Sequence, residues 1–358
     1  MNTLVGPTPG EVDVYQGYVT QMMSGLHPYT DFWFEYPPGL LPIAAIPQMM
    51  IANPDHYFIA WRILMVAVIA LCVYLIPKAK MKGAVVIEET NVVNIPTGSF
   101  LGYSSGVFEF LAILLASGLF LFHRFDFFVA AIVLFGVVSY RHSKYALAMM
   151  FMVIGAFTKL YPILFVPILL LYTPAKNWLK SIATAIVTGL PFYLYWKPGL
   201  NRFLEFHGDK PIQIESIQGM YHRMAPIVYE RFSFVYENTH TDKVFQYGVL
   251  LMAIAFVILI RKKITFEIAC TIVLTAFLIG GNIFSPQYML WFASFVPFLP
   301  RIYSVNLVGM TWLTTYYFGY YDAIVAKLAP ETILLTLRNV WLIGFFIKLL
   351  FDRYEDKI

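Results

Sequence analysis

Carboxylates and aromatic rings alternate with unusual density near the start of the chain, where Asp13, Tyr15, Tyr18, His27, Tyr29, Asp31, Trp33, Glu35 and Tyr36 share one short stretch. Rings that stack on the apolar faces of a sugar, interleaved with carboxylates that bond its hydroxyls, are what a sugar-binding cleft requires. From Val12 to Leu26 the apolar residues recur at helical spacing, so an amphipathic helix can lie on a membrane surface with Asp13 at its start. A carboxylate at that place also serves a plainer purpose, meeting the free N–H groups of a helix terminus. Pro37 and Pro38 likewise suit the first turn of the helix that follows.

Four further places carry polar residues within apolar sequence. Arg124 and Asp126 sit two apart and fit a turn, where Asp126 is either an N-cap for a helix from Phe127 or part of a site. Arg124 either holds an anion or reaches into the headgroup layer. Lys159 divides the apolar run Tyr145 to Thr173. An ammonium inside a membrane segment costs about 2.5 kcal/mol or more, which marks a functional position by default, although a lysine at a helix end can also snorkel to the interface. Pro162 allows the helix to break there. His207, Asp209, Lys210, Gln213, Glu215 and Ser216 form the densest polar cluster of the second half, which a solvated loop would also explain. Ser285 and Pro286 fit an N-cap and first helical position, leaving Gln287 and Tyr288 at a helix entrance as partners for sugar hydroxyls.

The elements that must position these residues are membrane helices. Only 13% of the 358 residues are Asp, Glu, Lys or Arg and 59% are hydrophobic. A soluble surface takes about 25% charged residues. Apolar runs follow one another at Ile59 to Pro77, Phe100 to Phe122, Phe127 to Tyr140, Tyr145 to Thr158, Leu160 to Thr173, Leu179 to Trp196, Val244 to Ile260, Ile264 to Phe284, Gln287 to Pro300, Tyr303 to Tyr320 and Ile333 to Phe351. Several are shorter than the ~20 residues of a straight span, so some helices must be broken. This predicts an all-α polytopic membrane protein with one membrane-embedded domain over 1–358. It comprises an extracytoplasmic loop with a re-entrant or interfacial helix at 1–58, a first helical group at 59–196, an extracytoplasmic loop at 197–243 and a second helical group at 244–358. Lys78, Lys80 and Lys82, Arg141 with Lys144, Lys176 with Lys180, the Arg261 to Lys263 triplet and Arg353 with Lys357 then mark the cytoplasmic side. The polar breaks collect on the other side, with no access to cytoplasmic nucleotides. No phosphate-binding glycine loop, H-E-x-x-H or C-x-x-C motif is present, no metal ligand set is evident although a divalent ion is compatible, and the scattered net charge of +4 argues against nucleic acid.

The pattern D-V-Y-Q-G-Y followed by G-L-H-P-Y-T-D-F-W-F-E-Y-P-P-G resembles the first extracytoplasmic loop of the GT-C glycosyltransferases, in particular the polyprenyl-phosphate-mannose-dependent mannosyltransferases of glycosyltransferase family 87. H-R-F-D at 123–126, F-T-K-L-Y-P at 157–162, D-K-P-I-Q-I-E-S at 209–216 and S-P-Q-Y-M-L-W at 285–291 resemble the same family in the same order. The resemblance implies a GT-C-like helical bundle in the plasma membrane. It implies inverting transfer of one hexose, mannose, from a polyprenyl-phosphate donor to a lipid-linked or glycan acceptor on the non-cytoplasmic face. It further implies Asp13 as general base, with Asp31 and Glu35 as competitors. Lys159, Arg124 and Lys210 are the expected donor-phosphate cations, with Lys210 standing where relatives more often carry Arg. Asp31, Glu35, Tyr36, Asp126, Gln213, Glu215, Gln287 and Tyr288 are expected around the sugar. The family also carries a transmembrane helix before this loop, whereas twelve residues precede Asp13, so either the true translation start is upstream or the acidic tail translocates without a leading helix, the former being the expectation. A secondary transporter and a non-catalytic lipid-linked-sugar binder are the rival readings, although no internal repeat of the transporter kind is visible.

Overall fold

The computed structural model describes residues 10–51, 53–83, 100–208, 212–213, 215–220, 239–318 and 331–352. Among these the fold is helical. The first helices are α1 (Gly10–Met23), α2 (Leu40–Met50), α3 (Tyr57–Gly83), α4 (Phe100–Ala116), α5 (Gly118–Leu121), α6 (Asp126–Arg141) and α7 (Tyr145–Thr158). They are followed by α8 (Phe165–Tyr172), α9 (Trp178–Trp196), α10 (Leu200–Gly208), α11 (Thr239–Ile260), α12 (Phe266–Gly280), α13 (Arg301–Phe318) and α14 (Glu331–Phe351). Helices follow the expected apolar runs, with a break at Ser117, a 3-10 turn over Tyr161–Leu164 and two larger differences. The run Gln287 to Pro300 winds into 3-10 helix over Pro286–Ser294 and Val296–Phe298. The expected loop after Trp196 contains the amphipathic helix α10.

Burial sorts the helices into an inner pair and an outer layer. Twelve of the sixteen residues of α6 are buried, and in α12 every residue but Phe277. Helices that are apolar and covered all round belong at the centre of a bundle. α6 packs against α3, α7 and the 3-10 segment Pro286–Ser294, while α12 packs against α8, α11 and α14. The outer layer is apolar outward as well. Ile59, Ile63 and Val66 of α3, Leu179, Ile186, Val187 and Leu194 of α9, and Ile333, Leu337 and Val340 of α14 are all exposed. Lipid tolerates this surface and water does not. Among the described residues two stretches, Tyr57–Ala79 and Ile333–Phe351, are long and apolar enough to cross a membrane alone.

Helix directions fix which charged groups share an end of the bundle. α6 runs from Asp126 to Arg141 and α7 returns from Tyr145 to Thr158, so their connecting turn lies at the end away from Asp126. There Arg141 bonds the Glu267 carboxylate at 2.9 Å and the Ala79 carbonyl at 3.2 Å, tying α6 to α12 and α3.

At the other end α7 stops because Pro162 has no N–H to offer the carbonyl four residues back. Lys159 is extended (φ −152°, ψ 137°), and the freed Phe157 carbonyl accepts the Gly39 N–H at 2.7 Å. Gly39 suits this close approach, since a Cβ there would stand 2.6 Å from Thr158 Oγ1 and 2.7 Å from the Phe157 carbonyl oxygen. Gly39→Ala is therefore expected to cost about 1–3 kcal/mol through overpacking. Gly17→Ala, where a Cβ meets nothing within 4 Å, should stabilise by about 0.5–1 kcal/mol through helix propensity. Thermal unfolding of the detergent-solubilised variants distinguishes them, and equal effects would remove Gly39 as the constraint.

Candidate active site

The break after α7 delivers Lys159 to the start of α6. Lys159 Nζ donates to Asp126 Oδ1 at 2.5 Å, and Asp126 is 1% exposed. The same oxygen accepts the Trp291 indole N–H at 2.7 Å. Trp291 comes from the 3-10 segment, where three residues per turn align positions 288, 291 and 294. Tyr288 accordingly stacks on one side of Trp291 with ring centroids 4.0 Å apart, and the Ser294 hydroxyl donates to the Ala130 carbonyl of α6 at 2.8 Å. Tyr161 is stacked on Trp291 too, at 4.1 Å and 6° between planes. The ammonium lies 4.9 Å from the Phe125 centroid, 5.1 Å from that of Tyr288 and 5.3 Å from that of Trp291, a cation held by one carboxylate and three rings.

A cavity of about 490 Å³ opens beside this cluster. Arg124, Asp126 and Lys159 line it, as do Glu35 and Tyr36 of the first loop, His207, Gln213, and Gln287 with Tyr288. His207 Nε2 lies 3.0 Å from the Glu35 carbonyl oxygen, linking α10 to the first loop, and the Gln213 N–H donates to the Asn282 carbonyl at 2.8 Å. The structure thus gathers eight of the expected residues around one space. Asp126 does not act as a cap, because Phe125 takes the N-cap position and the carboxylate points at Lys159 and Trp291. Ser285 does take the N-cap position with Pro286 first in the 3-10 segment, but its hydroxyl caps no backbone N–H and donates instead to Gln287 Oε1 at 2.6 Å.

Three expected residues stand elsewhere. Asp13 is exposed and does not line the cavity. The helix starts at Gly10 and puts both acidic residues in its first turn, and two residues correspond to about 200° of rotation, so Glu11 takes the cavity side that Asp13 leaves. Asp31 is exposed and accepts the His27 backbone N–H at 2.7 Å within its own turn. Glu215 is buried away from the cavity lining, its backbone carbonyl accepting from Arg338 at 2.5 Å and Asn339 at 3.3 Å of α14. Lys210 lies outside the described residues.

Glu11 forms an ion pair with Arg124 across the cavity wall. Burial raises its carboxyl above the usual range, and the Arg124 guanidinium opposes that shift. One oxygen of each acidic group, Glu11 Oε2 and Asp126 Oδ2, is buried without a hydrogen-bond partner among the described residues. Two carboxylates with free lone pairs and two cations within one cavity can accept a proton on one side and hold an anion on the other. Glu11, Tyr161 and Trp291 escape a reading by sequence. Glu11 precedes the visible apolar periodicity, whereas the 288, 291 spacing of Tyr and Trp was a signal for anyone assuming three residues per turn. Trp291→Phe combined with Asp126→Asn in a double-mutant cycle should give a coupling of about 1–3 kcal/mol by thermal unfolding. Strict additivity would mean that the indole N–H does not hold the carboxylate.

The profile of glycosyltransferase family 87 matches residues 33–286, most of the chain. That stretch includes Glu35, Tyr36, Arg124, Asp126, Lys159, His207 and Gln213, and excludes Glu11 and Trp291. No curated protein and no solved structure matches the chain significantly. With this match over most of its length and its apolar outer surface, the chain belongs to glycosyltransferase family 87 and is a membrane glycosyltransferase.

Proposed function

We propose that the protein transfers a single hexose, mannose by its family resemblance, from a polyprenyl-phosphate donor to a lipid-linked or glycan acceptor, inverting the anomeric carbon on the non-cytoplasmic side of the plasma membrane. The observation that carries this reading is the cavity itself, which the Glu11 carboxylate and the Arg124 and Lys159 cations line together at one end of the bundle. The multi-pass orientation draws support from Lys78, Arg141, Lys144, Lys176 and Lys180, which lie at helix ends away from that space.

In the proposed step the acceptor hydroxyl oxygen forms a bond to the anomeric carbon from the face opposite the donor phosphate. The carbon–oxygen bond to phosphate breaks with its electron pair, releasing polyprenyl phosphate, while the hydroxyl proton passes to a carboxylate. Glu11 is the base this geometry favours, because Glu11 lines the cavity and one of its oxygens has no hydrogen-bond partner among the described residues, whereas Asp13 does not line it. Lys159 and Arg124 balance the charge that gathers on the leaving phosphate, a contribution greater in the transition state than in the bound donor. Arg124 has two anions to choose between. An arriving phosphate competes for it, freeing Glu11 at the moment a base is needed.

Membranes supplied with labelled polyprenyl-phosphate mannose test the assignment. Glu11→Gln should lower transfer about 10²- to 10⁴-fold, the usual contribution of a general base, with Asp13→Asn near wild type. The reverse order would return the base to Asp13, and no transfer from any lipid-linked sugar would end the reading. The pH profile gives a second check. A base must be deprotonated, so activity is lost as pH falls through the Glu11 pKa, which burial has raised. Arg124→Gln removes the opposing charge, and the acidic limb of kcat/KM should move to higher pH. An unmoved limb would show that another group titrates.

A further inference from the structure

The end of the bundle opposite the candidate active site holds a second cavity, also of about 490 Å³, between the first turns of α7 and α9. It lies at the far end of α7 from Lys159, about 21 Å along a fourteen-residue helix. Its lining changes character with depth. It passes from Ser143 and Lys144, just before α7, to Leu147 and Met150 within it, and from Asn177, just before α9, to Lys180 and then Thr184 within it. The polar atoms therefore stand at the helix ends and apolar wall lies below them on the α7 side.

Both lysines are exposed, and among the described residues neither forms an ion pair. No side chain caps the start of α7, whose first residues also line the cavity. Trp178, 44% exposed, donates its indole N–H to the Thr173 carbonyl at 2.8 Å at this same end, and Tyr145 lies in the cavity wall. Aromatic side chains of this kind sit at headgroup level. The exposed Leu179 and Val187 of α9 continue the apolar surface beside the opening.

We propose that this groove binds an anionic glycerophospholipid, its phosphate between Lys144 and Lys180, its polar glycerol region at Ser143 and Asn177, and an acyl chain along Leu147 and Met150. Charge complementarity selects the headgroup, since two cations at a membrane interface with no anion of their own favour an acidic lipid over a zwitterionic one. The gradient from polar to apolar selects a lipid over free phosphate. A lipid seated here touches α7 and α9 together and braces the helix whose other end presents Lys159.

The test uses the full chain in phosphatidylcholine nanodiscs, with and without phosphatidylglycerol, read by thermal unfolding and by labelling with a photoactivatable phosphatidylglycerol. Phosphatidylglycerol should raise the Tm of the wild type and of the control Lys176→Gln/Lys262→Gln, which loses the same charge outside the groove. In Lys144→Gln/Lys180→Gln the rise should vanish, with binding about thirtyfold weaker for two interfacial cations. Equal rises in all three proteins, or the same rise from inorganic phosphate in phosphatidylcholine alone, would overturn the proposal. If the groove variant does not fold, labelling of the wild type decides: adducts on 143–150 and 177–184 support the site, and adducts confined elsewhere refute it.

Discussion

The organisation of the bundle turns on one buried ion pair, Lys159 with Asp126. Taking a carboxylate and an ammonium out of water costs several kcal/mol each, and their attraction compensates only when geometry and further bonds are good. Here further bonds serve the ammonium and one of the two carboxylate oxygens. The Trp291 N–H shares the carboxylate oxygen, and the rings of Phe125, Tyr288 and Trp291 surround the ammonium. Removing one partner would leave an uncompensated charge, typically at a cost of about 3–5 kcal/mol. The pair therefore constrains three elements at once: the first turn of α6, the break after α7 and the 3-10 segment that carries Trp291.

That constraint also explains irregular backbone within the bundle. A straight continuation of α7 would carry Lys159 into a run of apolar neighbours, whereas extended backbone at that residue turns it toward Asp126. Tight 3-10 winding after Ser285 sets Tyr288 and Trp291 one directly above the other on one edge, where α-helical winding would offset them by about 60°. Non-helical backbone at membrane depth is tolerated only where it is buried in protein or lines a cavity, and both breaks do.

Much of this was legible in the sequence. Long apolar runs allow little except helices, and each break shows itself through a charge or a proline, as at Lys159 with Pro162 and at Ser285 with Pro286. Pairing was less legible. Asp126 and Lys159 are 33 positions apart, and nothing in either local pattern says that they meet. Helix phase was the weakest part of the reading. An apolar periodicity starting at Val12 makes Asp13 a first-turn carboxylate, which it is, but the helix extends back to Gly10 and so includes Glu11, the carboxylate that lines the cavity. The winding of 286–298 was hidden for a related reason: where almost every residue is apolar, periods of 3.0 and 3.6 look alike.

The central claim is that the Lys159 cation stands where a lipid-linked sugar phosphate loses its sugar. The most direct measurement is transfer of labelled sugar from a polyprenyl-phosphate donor by Lys159→Met, in membranes where the variant is shown to be folded and inserted. The account predicts loss of transfer by about 10²-fold or more, the scale on which removal of a single preorganised charge-stabilising group is felt. Wild-type transfer by Lys159→Met would contradict it and leave Lys159 as a structural partner of Asp126 alone.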